Sequence, residues 1–457
     1  MNSDSPMRDP KLRTAWAGLM AVLLLSSQVF AQGLSAEQDR ALHHVREGRF
    51  VVWPGLYAGQ ATVLREKAEF YLAAYQAEHQ PHGYAVDLRW ADRTRETLLQ
   101  YDGLGDGAIW TGHYLAALSF QYRVAPNDGV LAAISDTLDA LDALTRVSGK
   151  DGYVARYLGP ASDPFYEPYY AQYGGAAFLR PGFGARAFPG VAPWEEFIWL
   201  GDSSRDTYDG IHFGCAAVWR NVEDGVIRAK VRALVERVGT ALIRDNFLLL
   251  DERGNVELPN PSFYVAWLRL MLTVSPDTFR EVRGYYAFGS WLFFVVDRWL
   301  GPGLRGGAED RYYPNNLDMI RMFTLCTLEE SPRRRAAYQE VLRRNYREHL
   351  STHLNAHFAA IYLVATGIRD RAAIATLEGG LLDFPEDKFL HVPEPVADAT
   401  TGEYARGALF VRQRSMRDFI WQRPPARLPD AELRPVAYPG VDYLLPYWMA
   451  RSLQLAE

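Results

Sequence analysis

Cysteine is nearly absent: the chain of 457 residues has two, Cys215 and Cys326. Two thiols cannot make a structural zinc site, and no Cys/His cluster supplements them. Both lie in apolar helical contexts, so buried thiols are the expectation, with a single disulfide as the alternative. Long runs of positive charge are missing apart from Arg333–Arg335, and the formal net charge is −6. A nucleic-acid partner is therefore not expected, because phosphate binding needs a basic patch. There is no Gly-x-Ser-x-Gly elbow, no phosphate-binding Gly-x-x-x-x-Gly-Lys loop and no His-Glu-x-x-His pair. An EF-hand loop is also lacking, and no metal or other cofactor is expected. No segment is long and apolar enough to span a bilayer.

What is present begins with a leader. Arg8, Lys11 and Arg13 precede an apolar run, Ala15–Leu25, which leads into Val29-Phe-Ala31. That is the layout of a secretory signal peptide over residues 1–31, cleaved after Ala31 and directing the rest to the periplasm or medium without a stable membrane anchor. The remainder, 32–457, reads as one helical domain. Ser35-x-x-Gln38 has the form of a capping box. Residues 108–123 are apolar on nearly every side, as an inner helix requires. In the next segment Leu131, Ile134, Leu138, Leu141 and Leu144 share one face, with Asp136, Asp139 and Asp142 opposite. That is an outer, amphipathic helix.

The alternation continues through 210–220 and 226–243, 262–274 and 291–300, 317–328 and 336–347, and then 356–366. Inner and outer helices recurring at intervals of roughly 50 residues are what stacked helical hairpins need, since each buries its inner helix only against neighbours. One stretch interrupts the pattern. Residues 152–199 are dense in Tyr, Phe and Trp, and form an aromatic-rich inserted loop region too apolar for disorder.

Three motifs carry a resemblance: Asp102-Gly-Leu-Gly-Asp-Gly-Ala-Ile-Trp-Thr-Gly-His-Tyr-Leu-Ala-Ala-Leu118, Gly201-Asp-Ser-Ser-Arg-Asp-Thr-Tyr-Asp-Gly-Ile-His-Phe-Gly214 and Asp442-Tyr-Leu-Leu-Pro-Tyr-Trp-Met449. They resemble a group of bacterial proteins related to the six-hairpin glycosidases. The resemblance implies an all-α (α/α)6 toroid of helical hairpins and a carbohydrate-active enzyme. It does not carry over a catalytic pair, because toroids host several chemistries.

Candidate site residues gather around two echoing Asp-Gly helix starts. Asp106 and Asp209 are expected there as N-caps or as carboxylates on one shared rim. A helix N-terminus favours negative charge, so both are expected ionised, suited to act as base or nucleophile. The cluster Asp202, Arg205, Asp206 and Asp209 lies between the aromatic stretch and a helix. Glu195 and Glu196, among Trp194, Phe197 and Trp199, are expected in apolar surroundings that raise a carboxyl pKa, which makes Glu196 the candidate general acid. Such a division of labour serves glycoside hydrolysis. Trp110, His113, Trp199, Asp202, Arg205, Asp206 and His212 are candidate glycan-binding residues.

Two other readings stay open. In a polysaccharide lyase or uronate epimerase, Tyr208, His212 and Arg205 would carry the chemistry. In a non-catalytic glycan- or partner-binding protein, the acidic cluster is structural. His349, His353 and His357 would share a helical face only if no break occurred near Ser351, where one is expected.

Overall fold

The computed structural model describes residues 61–166, 187–300, 312–395, 408–429 and 433–455. The leader, the Ser35 motif and the aromatics at 169–183 lie outside them. The described residues are mainly helical, as the periodicity predicts. Twelve α-helices occur among them: α1 Ala61–Ala77, α2 Gly107–Val124, α3 Asp128–Leu144, α4 Arg205–Asn221, α5 Gly225–Arg244, α6 Pro261–Val274, α7 Arg283–Leu300, α8 Tyr313–Leu328, α9 Pro332–Asn345, α10 Ala356–Thr366, α11 Arg371–Asp383 and α12 Val441–Ser452. None is long and apolar enough to cross a membrane.

Alternate helices differ in burial as their sequences require. In α2 every residue from Gly107 to Phe120 is buried, and α10 is buried from Ala356 to Ala365. In α3 the buried side chains are Val130, Ile134, Thr137, Leu138, Leu141 and Leu144, one stripe facing inward. The six more buried helices touch in a circuit: α2 on α4, α4 on α6, α6 on α8, α8 on α10, α10 on α12, and α12 back on α2. The circuit is drawn in at its middle, because α4 also reaches α8 across it.

The tightest junction is α2 with α4, and glycine makes it possible. A Cβ added at Gly210 would lie 2.5 Å from the Ala108 carbonyl oxygen and 2.5 Å from the Ile109 Cα. One added at Gly214 would lie 2.9 Å from the Gly112 carbonyl oxygen. The echo between the two Asp-Gly motifs is thus in part a packing signature, with small residues letting two backbones meet.

Strands are short and lie at the ends of helices. β1 (Asp87–Trp90) pairs antiparallel with β2 (Leu98–Asp102), setting Asp87 opposite Asp102, and with β8 (Val436–Ala437). The aromatic stretch is not structureless where it is described. β3 (Tyr157–Pro160) and β4 (Ala187–Pro189) flank β5 (Phe197–Leu200), all antiparallel, and Tyr157, Tyr166 and Trp199 are buried core. β6 (Leu249–Leu250) and β7 (Val256–Glu257) make a hairpin beside the start of α4.

The histidine row is broken as expected. After α9 the chain passes through a π turn, Tyr346–Leu350, and a 3₁₀ turn, Ser351–His353, to Leu354 in the left-handed region at φ 47°. His353 then meets the Tyr312 hydroxyl at 2.9 Å while His357 meets Asn316, so the row does not converge on one point. Cys215 and Cys326 are both buried and both free, and burial raises each thiol well above its ordinary pKa.

Candidate active site

The N-terminal halves of the six buried helices share one end of the circuit. Residues 408–429, between α11 and α12, fold over that end. Its Trp421 indole donates to the Asp442 carbonyl at the start of α12 at 2.6 Å. The Trp421 carbonyl accepts from Asn355, the N-cap of α10, at 2.9 Å. Phe419 stacks on Trp110 of α2, with centroids 4.6 Å apart and planes at 12°.

Beneath Phe419 the centre is filled rather than open. His113 holds the Ile109 carbonyl through Nδ1 at 2.8 Å. Asn316 bridges inward, its Nδ2 3.4 Å from His113 Nε2 and its Oδ1 3.1 Å from His357 Nε2. Burial holds His113 down at about 4, so it is neutral at ordinary pH. Trp110 and His113 are therefore parts of the plug rather than walls of a binding site.

Asp106 stands at the edge of this end. Gly103, at φ 68°, turns β2 into a 3₁₀ turn, Leu104–Asp106, and α2 begins at Gly107. Asp106 occupies the N-cap position, but its carboxyl makes no capping bond. Among the described residues, none donates a hydrogen bond to it. Half-buried and without a donor, it is raised to about 6, chiefly by burial. Arg156 and Arg423 oppose that rise, while Asp206 and Asp418 add to it. The expectation of a plainly ionised Asp106 is corrected: loss of solvent outweighs the helix end because the carboxyl is not hydrogen-bonded to it.

Arg156 joins the two Asp-Gly loops. Its Nη1 donates to the Gly105 carbonyl at 2.8 Å and its Nε to the Asp202 carbonyl at 2.6 Å. Asp202 adopts φ 59° and its N–H donates to Glu252 at 2.7 Å. Arg205 is clamped by Glu257, which accepts from its backbone N–H at 2.8 Å and from its Nε at 2.6 Å. Asp206, in the first turn of α4, receives no hydrogen bond from the described residues. Burial raises its pKa against the pull of Arg156, with Glu257 adding to the rise. Asp87 is raised well above the carboxylate range by burial, with Asp418 and Asp102 adding to the effect.

Asp209 belongs to a different arrangement. α4 starts at Arg205, earlier than the apolar run beginning at Gly210 suggests, so Asp209 is inside the helix and not its cap. It is fully buried and bound through both oxygens by Arg321 of α8, one bond at 3.2 Å. The Arg321 Nη1 also donates to Asn260 at 3.0 Å, Ser262 at 3.2 Å and Asp318 at 3.3 Å. Burial raises the Asp209 pKa and Arg321 opposes it. A carboxylate so engaged ties α4, α6 and α8 together and is not available as base or nucleophile.

Glu196 is corrected too. Glu195 and Glu196 are exposed in the turn before β5, so the apolar surroundings expected of a general acid are not around them. Trp199 is held in the small sheet, its indole donating to the Pro189 carbonyl at 3.1 Å and its ring stacking on Phe188. His212 is fully buried against Trp267, and burial lowers it to about 3. Tyr208 is buried as well. Of the predicted residues the structure brings Asp106, Asp202, Arg205 and Asp206 to one rim.

Sequence reasoning missed Asp87, Arg156, Asp418 and Arg423, which share that rim's electrostatic field. They come from a strand, a loop and the returning chain, where no periodicity marks them. No described group of three or more His, Cys, Asp or Glu residues is arranged to hold a metal ion. Comparison of the chain with protein-family models, with curated proteins and with solved structures finds no match.

Proposed function

We propose that the circuit of six buried helices, backed by α1, α3, α5, α7, α9 and α11, is an (α/α)6 toroid related to the six-hairpin glycosidases. On this reading the chain is an exported carbohydrate-active enzyme, a glycoside hydrolase whose site lies at the rim around Asp106. Export rests on the leader at 1–31. The observation that carries the enzymatic reading is the Asp106 carboxyl: half-buried, without a hydrogen-bond donor among the described residues, and held at about 6. A carboxyl with that pKa is protonated often enough to serve as a general acid near neutral pH.

Asp106 therefore takes the acid role that the sequence suggested for Glu196. It protonates the departing glycosidic oxygen. Asp206 supplies the opposing carboxylate; burial raises its pKa, and the charges of Arg156, Arg205 and Arg321 act against that rise. Arg156 keeps the two loops, and so the two carboxyls, in fixed relation.

The test is release of reducing ends from a panel of neutral and acidic oligosaccharides, followed by single Asp106→Asn and Asp206→Asn replacements. The expected result is a loss of kcat of roughly 100-fold or more for Asp106→Asn, as for removal of a general acid. The limb of the pH profile near 6 should disappear with it. Turnover that survives both replacements with native circular dichroism would overturn the assignment. A new absorbance at roughly 230 nm, where unsaturated uronates absorb, in place of a saturated product would move the chemistry to a lyase.

A further inference from the structure

Residues 414–428, between α11 and α12, line an open cleft beside the rim, and its lining is unlike the rest of the site. Arg414, Arg417, Arg423 and Arg427 contribute to it, with Asp418 the one carboxylate. Asp418 is engaged by Arg423. The cleft is next to the proposed acid, since both Asp418 and Arg423 act electrostatically on Asp106.

Arg414 is the telling residue. It is only 5% exposed. Its Nε donates to the Leu409 carbonyl at 3.0 Å, and its Nη2 to the carbonyls of His353 at 2.9 Å and Leu354 at 3.4 Å. Its Nη1 is buried with no hydrogen-bond partner among the described residues, and the carboxylate that acts on it electrostatically, Asp383, is hydrogen-bonded to Arg412 instead. Burial pulls the guanidinium down to about 10, which still leaves it cationic at neutral pH. A buried guanidinium with an unfilled donor is unfavourable, and its fork matches the geometry of a planar or tetrahedral oxyanion.

We propose that this arginine-lined cleft is an oxyanion subsite that receives the carboxylate of an acidic sugar. The sugar identity rests on the glycoside-hydrolase reading; the oxyanion subsite does not. A carboxylate held there places the adjoining glycosidic bond toward Asp106, so acidic glycans are favoured over neutral ones.

The experiment titrates glucuronate, glucose and inorganic phosphate separately into the full-length protein at constant ionic strength, with heat or ligand NMR signals as readout. Saturable binding of glucuronate and none of glucose up to about 10 mM is expected. Replacing Arg427→Gln or Arg423→Gln should weaken glucuronate about tenfold, in line with loss of a charged hydrogen bond. Arg414→Gln should abolish binding; because it also braces the 353–354 carbonyls, the two more accessible replacements decide the matter if it fails to fold. Absence of glucuronate binding, or equal affinity in the Arg423 and Arg427 variants, overturns the subsite. Phosphate binding tenfold more tightly than glucuronate overturns the acidic-sugar source. Cleavage of neutral glycans without glucuronate binding sinks this inference and leaves the hydrolase reading standing. Glucuronate binding without cleavage of any glycan does the reverse.

Discussion

Gly210→Ala places a single methyl group where α2 and α4 meet. The new Cβ would sit 2.5 Å from both the Ala108 carbonyl oxygen and the Ile109 Cα. Carbon atoms in good contact are about 3.5–4.0 Å apart, so the two backbones must separate by roughly 1 Å. Both offending atoms are main-chain, so no rotamer change relieves them. Alanine is the better helix former by about 1 kcal/mol, and this gain works against the clash. Overpacking costs typically 1–3 kcal/mol and more where backbone must move. The expected net loss is about 2–3 kcal/mol, read from the shift of the urea midpoint at unchanged slope. Gly284→Ala is the matched control. It lies in α7 with nothing within 4 Å of the added Cβ, so it should be neutral or stabilising by up to about 1 kcal/mol. If Gly210→Ala proves as stable as the native chain, the two helices are not in backbone contact and the packing argument fails.

Asp106→Asn should stabilise the protein at pH 7.5 while it removes the proposed acid. A carboxyl raised from 3.8 to about 6 is penalised when ionised, by up to about 3 kcal/mol and less for a half-buried group. The sign follows from proton binding: between those values the folded state holds the proton that the unfolded state has released, so stability falls as pH rises through the window. The advantage of the asparagine variant in thermal midpoint should therefore grow from pH 3.5 to 7.5; a pH-independent difference would refute the reasoning. Asp209→Asn should cost about 3 kcal/mol, since it leaves Asp318 alone to balance the buried Arg321 charge, and a combined Asp209→Leu, Arg321→Met variant should lose less than the sum of the two single changes. Strictly additive losses would contradict a buried pair. Finally, Cys215 and Cys326 should be inert to a thiol reagent in the native protein and should both react in denaturant without reductant. One reactive thiol in the folded state, or none after unfolding, would conflict with two buried free cysteines.

The helices were legible because their periodicity is local. Leu131, Ile134, Leu138, Leu141 and Leu144 predict an inward stripe, and all but Leu131, which is partly buried, are fully buried in α3. The break between His349 and His357 was legible for the same reason, in the Ser351-Thr352 pair. The start of α4 was not: Arg205 to Asp209 is too polar to show an apolar face, yet it is helical, opened by a capping box of Ser204 and Thr207 and held by Glu257 and Arg321 from other elements.

The site followed the same division. Local sequence marked Asp106 and Asp206 as candidates and also suggested Asp209 and Glu196, since each stands in a comparable short motif. Only the tertiary structure separated them. It gave Asp209 a buried guanidinium, left Glu196 in solvent, and set Asp106 in a half-buried place without a donor among the described residues. Protonation depends on solvent and on charges brought in from elsewhere in the chain, here Arg156, Asp418 and Arg423. By itself, then, the sequence determined which segments are helical and which faces they bury. The packing of distant segments decided how far each carboxyl is buried and which charges meet it, and left the Arg414 Nη1 without a hydrogen-bond partner among the described residues.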